Sequence, residues 1–156
     1  LMINYNNSNT SKFIYPKLKQ ITKFKTIETE VKAHDEDFYV DFDHEGLIFK
    51  MQSREGPTLS LGDINGDGKN EAFMGGAKDQ PAQLFDLEGN IVLTENQNLF
   101  DSMAKYEDTA STFIDIDGDG DLDLVIGSGG NFKDETNKLY NIRILKNNGK
   151  CVFYRF

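Results

Sequence analysis

The feature that most constrains this chain is a self-match. GDINGDGKNE at 62–71 and IDIDGDGDLD at 114–123 align at an offset of 52 residues. Asp63 falls on Asp115, Asn65 on Asp117, Asp67 on Asp119, Gly68 on Gly120 and Glu71 on Asp123. The match runs on, with AFMGG at 72–76 lying on LVIGS at 124–128. A fixed offset of this kind marks a repeated structural unit. Further along the offset grows to 60, where LFDLEGNIVL at 84–93 corresponds to ILKNNGKCVF at 144–153. The extra residues fall in the polar connection NFKDETNKLYN, where a surface insertion costs little.

Each unit reads as short apolar strand, acidic loop, strand ending in glycines, connection, strand, tight turn, strand. TLSL, EAFMG, PAQLFDL and NIVLT have the composition of strands, as do STFI, DLVIG, IRILKN and CVFYR. EGN and NNGK suit hairpin turns, because Asn and Gly tolerate positive φ. Four antiparallel strands per unit is the content of a propeller blade. The expected fold is therefore all-β and a partial β-propeller. Its clear blades are 56–94, with the first acidic loop, and 111–156, with the second. Residues 95–110 connect them, with Leu99, Met103 and Tyr106 spaced for a turn of helix. Residues 12–55 contain alternating stretches, FYVDFD and LIFKM, but no acidic loop, and are expected to be a divergent or incomplete blade. Residues 1–11 are polar, Asn-rich and expected to be flexible.

Composition excludes several classes. Twelve phenylalanines spread over 156 residues supply too much apolar surface for a disordered tail. A net charge of -9 without a block of basic residues argues against nucleic acid as a partner. No run of 18 apolar residues is present, so membrane insertion is not expected. Cys151 is the single cysteine, which rules out an internal disulfide, and KCVFYRF places it as a small buried side chain on a strand. The start at Leu1 reads as a processed or cut boundary.

Packing like charges this densely favours an unfolded loop unless a cation joins them. Calcium takes six to eight oxygens at about 2.3–2.6 Å, and a tightly curled loop supplies them from alternate residues. In the first loop these are Asp63, Asn65, Asp67, the Lys69 carbonyl oxygen and Glu71. In the second they are Asp115, Asp117, Asp119, the Asp121 carbonyl oxygen and Asp123. Glycines at 66, 68, 118 and 120 let the backbone curl. Helix-flanked calcium loops require a carboxylate at position 12, where this chain has Met74 and Ile126 followed by glycine. Magnesium seldom uses an all-protein cage. Zinc lacks partners, because His34 and His44 stand apart from each other and from Cys151, and each reads as a surface or strand-edge residue. A metal-free solvated turn is the remaining alternative at the level of residues. Two calcium sites are expected.

The patterns D-x-N-G-D-G-x-x-E and D-x-D-G-D-G-D-x-D, each followed by a short apolar strand and glycines, resemble the calcium loops of the FG-GAP/VCBS repeat family, the integrin-alpha-like β-propellers. The stretch FYVDFDHEGLIFKMQSREGPTLSLGDINGDGKNEAFMGGAKDQPAQLF, with YEDTASTFIDIDGDGDLDLVIGSGGN, is similar to bacterial secreted or surface VCBS-repeat proteins that often carry an ASPIC/UnbV domain. The resemblance covers about residues 36–156 and implies a propeller, calcium in each acidic loop, and an extracellular, cell-surface or periplasmic location. No ASPIC-type segment is identifiable in the chain itself. Propellers close with four or more blades. Two clear blades imply that the remaining blades come from a longer chain or from self-association, for which Phe153 and the terminal FYRF are candidate contacts. The expected role is a noncatalytic, calcium-stabilised module that binds protein or glycan. One alternative is a scaffold segment without a ligand of its own. Another is part of a carbohydrate-active enzyme, using Glu107 with Asp108 or Asp134 with Glu135. No nucleophile elbow, phosphate loop or histidine-supported nucleophile supports catalysis.

Overall fold

Both acidic runs occupy the turn between the first two strands of an antiparallel sheet. The computed structural model describes residues 26–92, 94–130 and 139–156. The first sheet orders β1 (Leu59–Gly62), β2 (Glu71–Met74) and β3 (Gln83–Asp86). The second orders β4 (Asp108–Ile114), β5 (Asp123–Ser128), β6 (Ile142–Asn147) and β7 (Phe153–Arg155). Gly62 pairs with Glu71 and Ile114 with Asp123, so each acidic loop leaves and re-enters its sheet at equivalent partners.

Register supports the growing offset, since Ala72 faces Phe85 and Leu124 faces Leu145. The alignment slips at the next turn. Asp86 Oδ1 accepts from the amides of Glu88 and Asn90, whereas Asn148 Oδ1, not Lys146, accepts from Lys150 and Val152. β6 is thus two residues longer than β3, and Cys151 takes the place of Gly89, with φ of 58° and 91° respectively. Cys151 is buried, as expected, but sits in the turn rather than on a strand.

The fourth strand of the first unit is reduced to one bridge, Phe85 to Ile91, followed by a bond from Val92 N to Leu84 O. Helix α1 (Thr94–Asp101) takes over, longer than the single turn that the spacing implied. Its reason is visible in side chains three and four apart. Asn96, Leu99, Phe100 and, just beyond, Met103 turn toward the sheets, and Phe100 meets Phe73 edge-on at 5.6 Å.

Ile64, Phe73 and Leu84 from the first unit pack with Leu124, Ile126, Leu145 and Phe153 from the second, with Phe100 and Met103 closing the cluster. Each such large side chain contributes about 1.5–3 kcal/mol by leaving water. β1 and β4 lie alongside each other. Ser111 Oγ is 2.6 Å from Ser60 Oγ and 3.0 Å from Thr58 Oγ1. A Cβ at Gly62 would stand 3.0 Å from the Phe113 ring, so the absence of a side chain there lets the sheets approach. The two sheets do not close a ring.

Residues 26–55 contain no strand; FYVDFD instead ends in a 3-10 helix, Asp41–Asp43. The Asp41 carboxylate accepts from Ser53 N at 3.0 Å, from Ser53 Oγ and from Gln52 N, which folds the segment back on itself. With Asp41 so engaged, the segment runs as a 3-10 turn and irregular chain rather than as the strand its alternation suggested. Residues 32–35 run along the first sheet, held by two side-chain amides. Gln83 Oε1 and Nε2 bond Lys32 N and O at 2.7 and 2.9 Å, and Gln80 bonds Asp35 N and Ala33 O at 3.1 and 2.7 Å. The segments 1–11 and 12–25 lie outside the described residues, as do Asp134 and Glu135.

Candidate functional site

The two loops fold into one hydrogen-bonded curl. Gly68 N donates to Asp63 Oδ2 at 2.8 Å, and Gly120 N to Asp115 Oδ2 at 3.1 Å. Asp67 N donates to Asn65 Oδ1 at 2.8 Å, and Asp119 N to Asp117 Oδ1 at 3.3 Å. Lys69 N reaches Asp67 Oδ1 at 2.8 Å, and Asp121 N reaches Asp119 Oδ1 at 3.0 Å. Ile64 N donates to Glu71 Oε2 at 3.1 Å, and Ile116 N to Asp123 Oδ2 at 3.2 Å. Gly66, Gly68, Gly118 and Gly120 all have positive φ, between 74° and 94°, which explains their placement.

In the second loop Asp115, Asp117 and Asp123 each offer a carboxylate oxygen, and these lie within 4.8 Å of one another. Ligands bound about 2.4 Å from a shared cation span such a distance. No other trio of histidine, cysteine or carboxylate ligands among the described residues comes that close. Asp119 is outside the trio; its oxygens meet the Asp121 amide and the Lys146 ammonium, the latter at 3.2 Å. Lys146 also bonds Asp117. The first loop has Asn65 where the second has Asp117, leaving Asp63, Asp67 and Glu71 as its carboxylates.

The ninth position is the buried end of each loop. Asp123 is fully buried, and its other oxygen accepts from Asn147 N at 2.8 Å. Glu71 is 5% exposed, and burial raises its pKa, with the Asp67 and Asp63 charges adding to the effect and the Ile64 amide opposing it. A carboxylate so placed gains from a cation. Oxygen-rich, glycine-curled and internally repulsive, the donor set suits a hard divalent ion.

Asn147, at the end of IRILKN with its strand composition, joins the two loops. Its Nδ2 donates to Ile64 O at 2.7 Å and to Leu122 O at 3.2 Å. No local pattern in NNGK announces this, because the partners lie 83 and 25 residues away.

The other candidates separate. His34 is largely buried rather than superficial, with Nε2 2.9 Å from Glu36 Oε1, and His44 stacks on Tyr39 at 4.8 Å. Asp108 pairs with Arg143, whose guanidinium lies over the Tyr106 ring at 4.2 Å, and accepts from Gly76 N at 3.0 Å. That Asp108 ties the sheets together, and Glu107 points elsewhere. Burial lifts the Asp108 pKa despite Arg143, and lifts the Cys151 thiol to about 11, which makes it a poor nucleophile at neutral pH. Of the terminal residues, Phe153 is core, while Tyr154 and Phe156 are exposed.

A family model described as FG-GAP-like repeat matches residues 63–126, from the first acidic loop to the strand after the second. Neither the curated proteins nor the solved structures yield a match. FG-GAP-like repeats are structural, noncatalytic modules. None of the described helices is long and apolar enough to cross a membrane.

Proposed function

We propose that this chain is a calcium-stabilised β-propeller module of a secreted or surface protein and supports binding to a protein or glycan. The recurrence of one hydrogen-bonded curl in both acidic loops, with three carboxylates converging in the second, carries this reading. Calcium would be held by Asp63, Asn65, Asp67, the Lys69 carbonyl oxygen and Glu71 in the first loop. Asp115, Asp117, Asp119, the Asp121 carbonyl oxygen and Asp123 would hold it in the second. The ion supplies charge neutralisation. The residues do the rest: they pin the turn between the first two strands and bring Glu71 and Asp123 against the core.

The blades are built on β1–β3 and on β4–β7, with α1 in the connection between them. Leu59 and Leu61 on one sheet, and Ile142 and Tyr154 on the other, remain at least 47% exposed, which favours cover by further blades of a longer chain or by another copy.

Thermal melts of chelated protein with and without added calcium test the central claim. A site at a hundredfold excess of free ion over Kd stabilises the fold by about 2.7 kcal/mol. Calcium should raise the melting temperature, and Asp115→Asn with Asp123→Asn should reduce the rise. An unchanged melting temperature sinks the proposal.

A further inference from the structure

At the opposite end of β4 from its acidic loop, two adjoining recesses of about 100 and 240 Å³ share Gln52, Ser53, Glu107 and Thr109 as wall. The length of β4 places them about 20 Å from that loop. His34 and Glu36 line the smaller recess.

Glu107 is the decisive residue. It is only 8% exposed, yet among the described residues no donor reaches its carboxylate. The nearby cations are bonded elsewhere: Arg143 to Asp108, Lys50 to Glu55, and Lys78 to Asp37 at 3.5 Å. His34 Nε2 bonds Glu36, and its Nδ1 is buried with no partner at all. On this wall His34 Nδ1 is buried without a donor and the Glu107 carboxylate has none from the described protein groups, an arrangement that a donor-bearing ligand would relieve. The seat is also shaped. Gly130, at a φ of 97° that favours glycine, lets the carboxylate lie against the backbone, since a Cβ there would stand 2.1 Å from Glu107 Oε2.

We propose that this recess binds a nitrogen cation, a primary ammonium or a guanidinium, presented by a ligand, with Glu107 as its main acceptor and Glu36 and His34 beside it. A bare metal ion suits it less, since these groups do not form a trio within metal-ligand distance, whereas several N–H donors fan out to separated acceptors. Burial raises the Glu107 pKa, with Glu36 and Asp37 adding to it and Lys78 and His34 opposing, and a bound cation would reverse that burden. The inference is independent of the calcium reading.

Backbone amide chemical shifts test it, followed while blocked lysine, blocked arginine or blocked norleucine is titrated in, with and without calcium. Saturable shifts centred on Ser53, Gly76, Thr109 and Gly130 are expected for lysine, arginine or both, and none for norleucine. Whichever cation binds names the source. Glu107→Gln keeps the shape and should weaken binding about tenfold or more. The proposal is overturned by absent saturation with both cations, by equal shifts from norleucine, or by affinity that Glu107→Gln leaves unchanged. Manganese-induced broadening centred on Glu107 rather than on the acidic loops would assign the recess to a metal and overturn it too.

Discussion

Replacing Asn147 offers the sharpest check on how the two loops are joined. The residue is 1% exposed, and its Nδ2 satisfies the Ile64 and Leu122 carbonyls. Asn147→Ala strands both. The Ile64 carbonyl, in a buried residue, costs about 1–3 kcal/mol when left alone, and the Leu122 carbonyl, at 3.2 Å in a half-buried residue, costs about 0.5–1.5 kcal/mol. Against this, Asn147 Oδ1 is itself buried without a partner, so its removal returns about 1 kcal/mol. The net loss is about 0.5–3.5 kcal/mol, a sizeable fraction of the stability of a small domain. Urea unfolding reads it as a lower midpoint at unchanged slope. Asn147→Asp should fall further at neutral pH, because it offers two acceptors and a charge to two carbonyls and lies beside Asp123. A loss below about 0.5 kcal/mol for Asn147→Ala, or parental stability for Asn147→Asp, would refute the assigned role of this side chain.

Two further outcomes follow from local geometry. A Cβ at Gly76 would stand 2.1 Å from the Gln80 carbonyl oxygen and under 3 Å from Ala82 N and Pro81 C, all backbone. Gly76→Ala should therefore cost about 2 kcal/mol or more by urea unfolding, while Gly46→Ala, with open space around it, stays within about 0.5 kcal/mol; equal effects would disprove the close turn at 76–82. Glu107 has a folded pKa raised above its unfolded value, so its favourable contribution is present in acid and lost as pH rises through the folded pKa. Glu107→Gln should accordingly melt higher than the parent at neutral pH, with the gap closing as pH falls into the carboxylate range, and parallel pH profiles would contradict this.

Much of the fold was legible because its signals are local. Asp63 to Glu71 and Asp115 to Asp123 carry their own turn chemistry, and the apolar and β-branched composition of TLSL, EAFMG, STFI and DLVIG marks strands without reference to anything distant. Less legible was NIVLT, which has strand composition yet pairs only at Ile91, because the following Asn96 and Phe100 gain more as one face of α1. FYVDFD is likewise not a strand, and its Asp41 carboxylate is taken up by the Gln52 and Ser53 amides 11 and 12 residues on.

By itself, then, the sequence determined the repeat, legible because one local pattern recurs 52 residues on, together with the antiparallel strands around each acidic loop and the set of oxygens that suits a hard cation, each read from residues within a few tens of positions. Tertiary structure alone decided that Asn147 bridges the loops, that Asp108 rather than Glu107 takes Arg143, and that Glu107 and His34 share a wall without donors. Those outcomes turn on which groups lose water together and which partner reaches each of them first. Burial and competition of that kind join residues far apart in the chain, and no local spacing encodes them.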